Sequence, residues 1–350
     1  MTKIIGVKTA YPEHRYSQQD IMGLLKSIWP EHEEVVERLT TSSGVNHRNL
    51  VCALDSYKKL GGFEQRNAIY INSMVHILER AARGLQEEIG FDWADVGIIT
   101  STSITGVAVP SLDARLMNKL PLDTDIVRVP LFGLGCLGGI ASLNRTKDLL
   151  KAYPKKLALV LASEACSLTF QFGDITMANI VACSLFGDGA AAVLIAGEDH
   201  PLAQKGRLQI VDSINSFYPN TERIMGWDMV DTGFKVVLSG NVPEIVQKYV
   251  GHDAEKFLAR NNLTLQNINN IISHPGGPKV LKGISTVLNK DESLLSHSWQ
   301  SLKDQGNMSS VSVLNVLERS LKEGTLKKGY ALGLAMGPAF NSEMSLIKVD

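Results

Sequence analysis

The sequence lacks the features that are typical of disulfide-rich, zinc-binding and membrane-spanning proteins. It contains four cysteines in 350 residues and no Cys-x-x-Cys pair, so we expect reduced thiols rather than a disulfide framework. None of its eight histidines stands in a zinc-type spacing, and we therefore predict no metal site. Apolar runs of membrane-spanning length are also missing.

The chain also has almost no net charge and no clusters of basic residues. The formal net charge is −1, and Lys and Arg are scattered without runs, which argues against a nucleic-acid partner. The first residues hold only a brief apolar stretch before Pro12, too short and polar for a secretory signal or a membrane span, so we expect a cytoplasmic protein. With 44% hydrophobic and 20% charged residues, the composition is typical of a globular protein.

Apolar runs of strand length alternate with segments of helical periodicity, which predicts an α/β protein with a parallel or mixed sheet. A polar stretch at 197–206 predicts the boundary between two halves, 1–205 and 206–350. The predicted strands are 96–101, 126–132, 157–162, 190–196, 208–214, 235–238 and 268–273, and the predicted helices are 77–88, 111–120, 140–153 and 243–260.

Cys136 lies in LFGLGCLGG, between a predicted strand and a predicted helix. A thiol at a helix N-terminus faces unpaired backbone N–H groups and the positive end of the helix dipole, which favour the thiolate. The flanking glycines are expected to leave room for a sharp turn and for an acyl group. A small buried structural cysteine is the alternative interpretation.

Two further residues complete a candidate catalytic set. His274 ends an apolar strand in NNIISHPGGPKVL, and strand ends are where α/β proteins place their sites. Asn307 follows Gly306, just before a helix that we expect Ser to cap. Alone, His274 is more often structural and Asn307 more often a turn residue, but Cys, His and Asn together suit nucleophilic acyl transfer with an oxyanion site.

The stretches GLGCLGG, HPGGPKVL and GNMSS resemble those around the catalytic residues of the type III polyketide synthases, the chalcone and stilbene synthase family. GVAVPSLDARL, EACSLTFQ, LFGDGAAAVL and MGWDMVDTGF extend the resemblance over most of the chain. It implies the five-layered αβαβα thiolase fold in two pseudo-repeated halves, a homodimer, acyl-CoA and malonyl-CoA as substrates, and no cofactor.

In the chemistry that this resemblance implies, Cys136 takes an acyl group from a starter thioester. His274 and Asn307 then hold the enolate that forms when malonyl-CoA loses carbon dioxide, and the enolate carbon attacks the acyl-cysteine. His274 is also expected to stabilise the Cys136 thiolate as an ion pair.

The resemblance also assigns residues around the substrate. Phe186 and Phe234 match the gatekeepers between the coenzyme tunnel and the reaction cavity, and Val109 matches a dimer-contact position. The family binds coenzyme A phosphates with basic residues near the N-terminus, for which Arg38, His47 and Arg48 are candidates. The remaining predicted cavity residues are Ile104, Thr105, Cys166, Thr169, Gly226 and Ser309.

Three other interpretations remain open. Residues 133–138 also satisfy Gly-x-Gly-x-x-Gly, with Glu164 ending the next strand, as in a dinucleotide-binding oxidoreductase. A ketoacyl synthase III-like enzyme would perform a single condensation, and a degenerate thiolase-fold protein would bind acyl chains without turnover. Among polyketide synthases, the phrasing around the site resembles bacterial alkylpyrone and alkylresorcinol synthases, which predicts a fatty acyl starter in a tunnel beside Thr105 and Cys166.

Overall fold

The computed structural model describes residues 2–350, which form thirteen strands and eleven α-helices. The strands are β1 (Lys3–Ala10), β2 (His14–Ser17), β3 (His47–Leu50), β4 (Val96–Thr102), β5 (Val127–Leu131), β6 (Leu157–Ala165), β7 (Asp188–Ala196), β8 (Leu208–Phe217), β9 (Met225–Val230), β10 (Gly233–Leu238), β11 (Ile268–Ser273), β12 (Gly329–Gly337) and β13 (Asn341–Val349). The helices are α1 (Gln18–Ile28), α2 (Glu33–Thr41), α3 (Phe63–Ile89), α4 (Leu112–Met117), α5 (Gly138–Leu150), α6 (Met177–Leu185), α7 (Val242–Ile245), α8 (Gly251–Arg260), α9 (Pro278–Val287), α10 (Ser296–Gln305) and α11 (Ser310–Lys322).

Nine strands form one mixed sheet in the order β11-β12-β13-β8-β1-β7-β6-β4-β5. The first half of the chain supplies β1-β7-β6-β4-β5 and the second half supplies β11-β12-β13-β8. The two groups meet only where β1 pairs with β8, at Lys3 with Gln209 and Ile4 with Leu208. They are therefore two sheets joined along a short seam.

Strand β6 shows why this sheet is covered on both faces. All nine of its residues are buried, and successive side chains of a strand point to opposite faces. Leu157, Leu159 and Leu161 enter one hydrophobic cluster, whereas Ala158 and Val160 enter another. A continuous apolar run of this kind requires a packed layer on each side.

Helices supply those layers. Helix α3 packs on β1, β6 and β7 on the outer face of the first sheet, while α5 and α11 lie between the sheets and contact strands of both. Helices α8 and α10 cover the outer face of the second sheet. The resulting order of helix, sheet, helix, sheet, helix confirms the predicted αβαβα thiolase architecture.

The predicted helix over 243–260 is divided in the structure. Helix α7 is followed by a π-helical segment, Val246–Val250, and then by α8. The π-helical segment packs against α9, and a Cβ atom on Gly251, the first residue of α8, would lie 2.8 Å from the carbonyl oxygen of Val287 at the end of α9. Helical periodicity in the sequence does not show this irregular turn.

Within residues 2–350, no helix is long and apolar enough to cross a membrane. Over the same residues, no group of three or more His, Cys, Asp or Glu side chains is arranged to hold a metal ion.

Candidate active site

Cys136 lies in a single 3₁₀ turn between β5 and α5. The glycines around it permit a sharp turn and close packing of the protein. Gly135 has φ +52°, and a Cβ atom there would lie 2.5 Å from Cδ of Pro338. A Cβ atom on Gly139 would lie 2.4 Å from the carbonyl oxygen of Ser310. The turn is therefore pressed against α11 and the loop that carries Pro338.

His274 follows β11 directly, as the sequence predicts. Its backbone N–H donates to the carbonyl oxygen of Leu334 on the neighbouring strand at 2.8 Å, which fixes the start of the loop. The ring is buried, yet neither Nδ1 nor Nε2 has a hydrogen-bond partner in the protein. Buried polar atoms are usually paired, so these two nitrogens are available to a bound substrate.

The side-chain amide of Asn307 is oriented by the chain that follows it. The backbone N–H of Ser309 donates to Oδ1 of Asn307 at 2.8 Å. An N–H group only donates, so Oδ1 is fixed and Nδ2 is left to donate elsewhere. The predicted Ser cap of the next helix is wrong, because Ser309 has φ 50° and its side chain makes no capping hydrogen bond.

Asn307 is also held from the side by the segment that follows α6. Its N–H donates to the carbonyl oxygen of Leu185 at 2.8 Å, and its own carbonyl accepts from Gly187 at 3.0 Å. These two bonds form a parallel bridge between Phe186 and Asn307. Gly306 permits the approach, since a Cβ atom there would lie 2.6 Å from the carbonyl oxygen of Leu185.

Cys136, His274 and Asn307 all line one cavity of about 400 Å³. This volume falls at the lower end of the roughly 300 to 1,000 Å³ of ligand pockets. Apolar side chains from α2, α6, the β9–β10 hairpin, α7, α9 and the end of β12 form most of its wall: Leu39, Met177, Ala178, Val181, Leu185, Met225, Trp227, Val236, Val237, Leu238, Val242, Pro243, Pro278, Val280, Met336 and Pro338.

Burial opposes a charge on either member of the Cys–His pair. It raises the pKa of Cys136 to about 12, an effect that hydrogen bonds with Ser309 and Asn307 partly offset. It lowers the pKa of His274 to about 3. Since a lone thiolate and a lone imidazolium are both unfavourable here, the predicted ion pair requires that the two charges form together.

A buried carboxyl group, Glu164, lies behind the cysteine turn. It accepts hydrogen bonds from Ser310 Oγ at 2.6 Å, Thr105 Oγ1 at 2.8 Å and the N–H of Ile104 at 3.1 Å. Burial raises the pKa of Glu164, and its charge in turn raises that of Cys136.

The location of Glu164 excludes the interpretation of the chain as a dinucleotide-binding oxidoreductase. A ribose-binding acid must face a ligand, whereas Glu164 is fully buried and has protein partners. In addition, β6 pairs with β7 in antiparallel fashion, unlike the parallel sheet of a dinucleotide-binding unit.

The structure brings only part of the predicted substrate set to the cavity. Phe186, Gly226 and Ser309 line it. Phe234 does not, because its ring packs between Phe63 and Trp227, with ring centroids 5.9 and 6.3 Å away.

Four more predicted residues lie outside the cavity wall: Ile104, Thr105, Cys166 and Thr169. Thr105 is bonded to Glu164 and to the N–H of Ala165, and Thr169 Oγ1 donates to the carbonyl oxygen of Cys166 at 2.7 Å. Thr105 and Cys166 are therefore buried by protein contacts, and neither borders the cavity in this structure.

The prediction that Arg48 binds coenzyme phosphates is wrong. Its side chain is fully buried, and it donates to the carbonyl oxygens of Cys183 and Phe186, both at 2.8 Å. Arg38 lies exposed on α2, one residue from the cavity-lining Leu39, and remains a candidate for phosphate binding.

Most of the cavity wall was not predicted from the sequence, and Trp227 and Lys279 are the two such residues with a recognisable sequence signal. Trp227 lines the cavity, and its ring centroid lies 6.0 Å from that of Phe186. Its position next to the predicted cavity residue Gly226, in a short strand with alternating polarity, is the sequence feature that indicates it. Lys279 is exposed at the first turn of α9 and also lines the cavity. A cation directly after His-Pro-Gly-Gly-Pro is the corresponding signal.

The hairpin that carries Trp227 stands apart from the nine-stranded sheet as a two-stranded unit. Lys235 of β10 pairs with Asp174 at 3.2 Å, and Gln171 Nε2 donates to the carbonyl oxygen of Phe234 at 3.0 Å. The hairpin is thus attached to the rest of the protein through polar contacts and side-chain packing rather than by pairing with the main sheet.

Comparison with known proteins agrees with this geometry. Residues 2–199 match the family model of the N-terminal domain of chalcone and stilbene synthases, and residues 209–349 match that of the C-terminal domain. The chain is 40% identical to the 1,3,6,8-tetrahydroxynaphthalene synthase of Streptomyces peucetius subsp. caesius, over 99% of this chain and 93% of that protein. It is 34% identical to a putative chalcone synthase of Bacillus subtilis (strain 168), over 99% and 98% of the two chains.

Among solved structures, the chain is similar to the crystal structure of the 1,3,6,8-tetrahydroxynaphthalene synthase of Streptomyces coelicolor A3(2), described as a bacterial type III polyketide synthase. The TM-score is 0.93 at 27% sequence identity, and the match covers 99% of each chain.

Proposed function

Since the chain belongs to the chalcone and stilbene synthase family and is a type III polyketide synthase, we propose that Cys136 is its acyl-carrying nucleophile and that His274 and Asn307 hold the enolate. The observation that carries this proposal is the meeting of all three side chains on one cavity. The three residues lie in loops from different parts of the chain, and local packing alone does not explain why their side chains line the same cavity.

In the loading step, the Cys136 thiolate attacks the carbonyl carbon of an acyl-CoA thioester. The carbon–sulfur bond to coenzyme A breaks, and its thiol leaves with a proton taken from His274. An acyl-cysteine thioester remains. We assign this proton exchange to His274, because it lines the same cavity and its ring nitrogens have no other polar partner.

In the extension step, malonyl-CoA loses carbon dioxide, and the bonding electron pair becomes an enolate whose oxygen carries the charge. An N–H of His274 and Nδ2 of Asn307 donate to that oxygen. The enolate carbon attacks the acyl-cysteine, a carbon–carbon bond forms and the thiolate is expelled. Oδ1 of Asn307 is bound to the Ser309 N–H, which turns the donating end of the amide to the cavity.

One experiment tests this activity. The purified protein is incubated with malonyl-CoA alone and with acyl-CoAs of graded length, and carbon dioxide release and product masses are measured. Products extended by several two-carbon units support an iterative synthase. A single extension supports the ketoacyl synthase III-like alternative, and binding without carbon dioxide release supports the non-catalytic one.

For the starter, we favour a short, malonyl-derived unit. Thr105 and Cys166 are buried and leave no open space beside them, and the relative with 40% identity is named for tetrahydroxynaphthalene, a compound without an alkyl chain. Malonyl-CoA alone is then sufficient for product formation, and a labelled malonyl unit accounts for every product carbon.

A fatty acyl starter, leading to an alkylpyrone or alkylresorcinol, is the second candidate. The observation in its favour is the apolar lining contributed by α6 and the hairpin, including Val181, Leu185 and Leu238. Each buried methylene would contribute about 0.8 kcal/mol, so turnover would improve steadily with chain length until the cavity is full. Preference for C8 to C16 acyl-CoAs over malonyl-CoA alone would decide for this candidate.

We propose that Lys279 and Arg38 bind the coenzyme A phosphates. Lys279 lies at the cavity mouth beside the first turn of α9, and Ser42 and Ser43 at the end of α2 line the same mouth. Lys279→Ala should raise the KM for malonyl-CoA while leaving turnover of the malonyl thioester of N-acetylcysteamine unchanged, because that thioester has no phosphates. Equal losses with both substrates would contradict this role.

We also propose a homodimer formed through the face that carries Val109. Val109 is 88% exposed in the segment that follows β4, and Phe132 is 60% exposed directly after β5, the parallel neighbour of β4. Two large apolar side chains at this exposure favour a partner surface. Phe132→Glu should convert the dimer to a monomer in analytical ultracentrifugation, and a wild-type monomer would refute the proposal.

A further inference from the structure

Arg48 is a buried cation whose hydrogen-bond partners are not carboxylates. It lies on β3 with no exposed surface. Its guanidinium donates to the carbonyl oxygens of Cys183, Ser184 and Phe186 and to Oε1 of Gln18. Burial lowers the pKa of Arg48 to about 10, so the side chain is charged at neutral pH.

These three carbonyls form the C-terminal end of α6, where unpaired carbonyl groups concentrate negative potential. A guanidinium presents several N–H donors in one plane, which lets it bind several acceptors in a fixed geometry. Arg48 therefore fixes the path of the chain as it leaves α6.

The segment that Arg48 holds is the one that bridges Asn307. Leu185 and Gly187 make both backbone hydrogen bonds of that bridge, and the intervening Phe186 lines the cavity. Gly187 is also packed closely against Arg48, since a Cβ atom on it would lie 3.2 Å from Cβ of Arg48. Displacement of this segment would move Asn307 with it.

We propose that Arg48 is a positioning residue: it holds residues 183–187 so that the amide of Asn307 and the ring of Phe186 keep their places at the reacting atoms. This inference rests on the proposed function, since it assigns Asn307 to the enolate. Arg48 itself does not reach the cavity.

Gln18 extends the same network toward the cavity mouth. While Oε1 accepts from Arg48, Nε2 donates to Ser43 Oγ and to the carbonyl oxygen of Ser184, both at 2.8 Å. Ser43 lines the cavity. One side-chain pair thus connects the mouth, the end of α6 and the Asn307 bridge.

The test compares Arg48→Met with Arg66→Met as a matched control. Arg66 is a largely buried arginine that also donates to backbone carbonyls, those of Leu168 and Phe170 at 2.9 and 3.1 Å, but it has no link to Asn307. Malonyl-CoA decarboxylation is measured per mole of protein whose Cys136 can be alkylated, which corrects for unfolded material.

Arg48→Met should lower the kcat for decarboxylation by about a hundredfold, the effect of misplacing a catalytic group by about 1 Å, with KM and its salt dependence unchanged. The kcat of Arg66→Met, measured per alkylatable site, should stay within about threefold of the wild-type value, because this substitution affects only packing. Arg48→Lys keeps the positive charge but has fewer directed hydrogen-bond donors. Its kcat should therefore lie between those of wild type and Arg48→Met.

Distinct outcomes separate this inference from the proposed function. If wild type does not decarboxylate malonyl-CoA, the proposed function fails. If wild type is active and the Arg48 variants lose no more kcat than Arg66→Met, the positioning role is refuted. A raised KM with reduced salt dependence would show phosphate binding instead, and would also refute it. Should Arg48→Met not fold, Arg48→Lys against Arg66→Lys gives the same comparison.

Discussion

Removal of the imidazole of His274 should separate two roles that this residue is proposed to have. His274→Gln keeps an N–H donor for the enolate but cannot carry the positive charge that the Cys136 thiolate needs. Burial, together with the nearby charge of Glu164, raises the pKa of Cys136 to about 12. Without its counter-ion, the thiolate fraction at pH 7 falls to about 10⁻⁵, compared with a few per cent for an ordinary thiol of pKa about 8.5.

The assay is the rate of Cys136 alkylation by iodoacetamide as a function of pH, with malonyl-CoA decarboxylation measured on the same samples. In wild type, the ion pair should give an alkylation rate that changes little between pH 6 and 8. In His274→Gln, the rate at pH 7 should drop by at least about a hundredfold and then rise about tenfold per pH unit, since only the thiolate reacts.

Decarboxylation should fall less than alkylation in this variant, because the glutamine amide still donates a hydrogen bond. Asn307→Ala is the control in the opposite direction: decarboxylation falls by about a hundredfold while alkylation is retained. If the wild-type rate already rises tenfold per pH unit through neutrality, and His274→Gln follows the same line, His274 is not the counter-ion and the reasoning is refuted.

Three further predictions concern the cavity. Cys136→Ala should abolish condensation with the melting temperature unchanged, because the turn is fixed by its glycines and Pro338; product formation by this variant would remove the nucleophile assignment. Cys166→Phe should destabilise the protein by about 1 to 3 kcal/mol in chemical denaturation, since Cys166 is fully packed; an unchanged stability with a shortened starter preference would instead favour a tunnel there. Trp227→Ala should enlarge the cavity and shift product masses toward longer polyketides, with carbon dioxide release per Cys136 little changed; an unaltered product distribution would place the limiting wall elsewhere.

Much of the architecture could be predicted because burial on both faces leaves a direct trace in the sequence. The runs at 157–162 and 190–196 are apolar throughout, and both became central strands. The strand predicted at 268–273 matches β11 at both ends, and His274 follows it as expected. In contrast, α3 begins at Phe63, well before the predicted 77–88, because its first turns are largely polar.

The site residues show where sequence patterns stop being informative. Arg38 and Arg48 have the same chemistry and lie ten positions apart, yet one is exposed and the other is enclosed by the end of α6. Thr105 and Cys166 are small, which suggested open space, but small residues also occur where neighbouring segments pack closely. Both distinctions depend on tertiary contacts between distant parts of the chain.

The β9–β10 hairpin has a consequence for the divergence of this enzyme. Because it hydrogen-bonds to no strand of the nine-stranded sheet and supplies Gly226 and Trp227 to the cavity, its residues can be exchanged without altering the elements that carry the reacting groups. We therefore expect the chemistry and the product size to depend on separate parts of the chain. Libraries restricted to residues 225–240 should retain decarboxylation in most members while diversifying the molecules released.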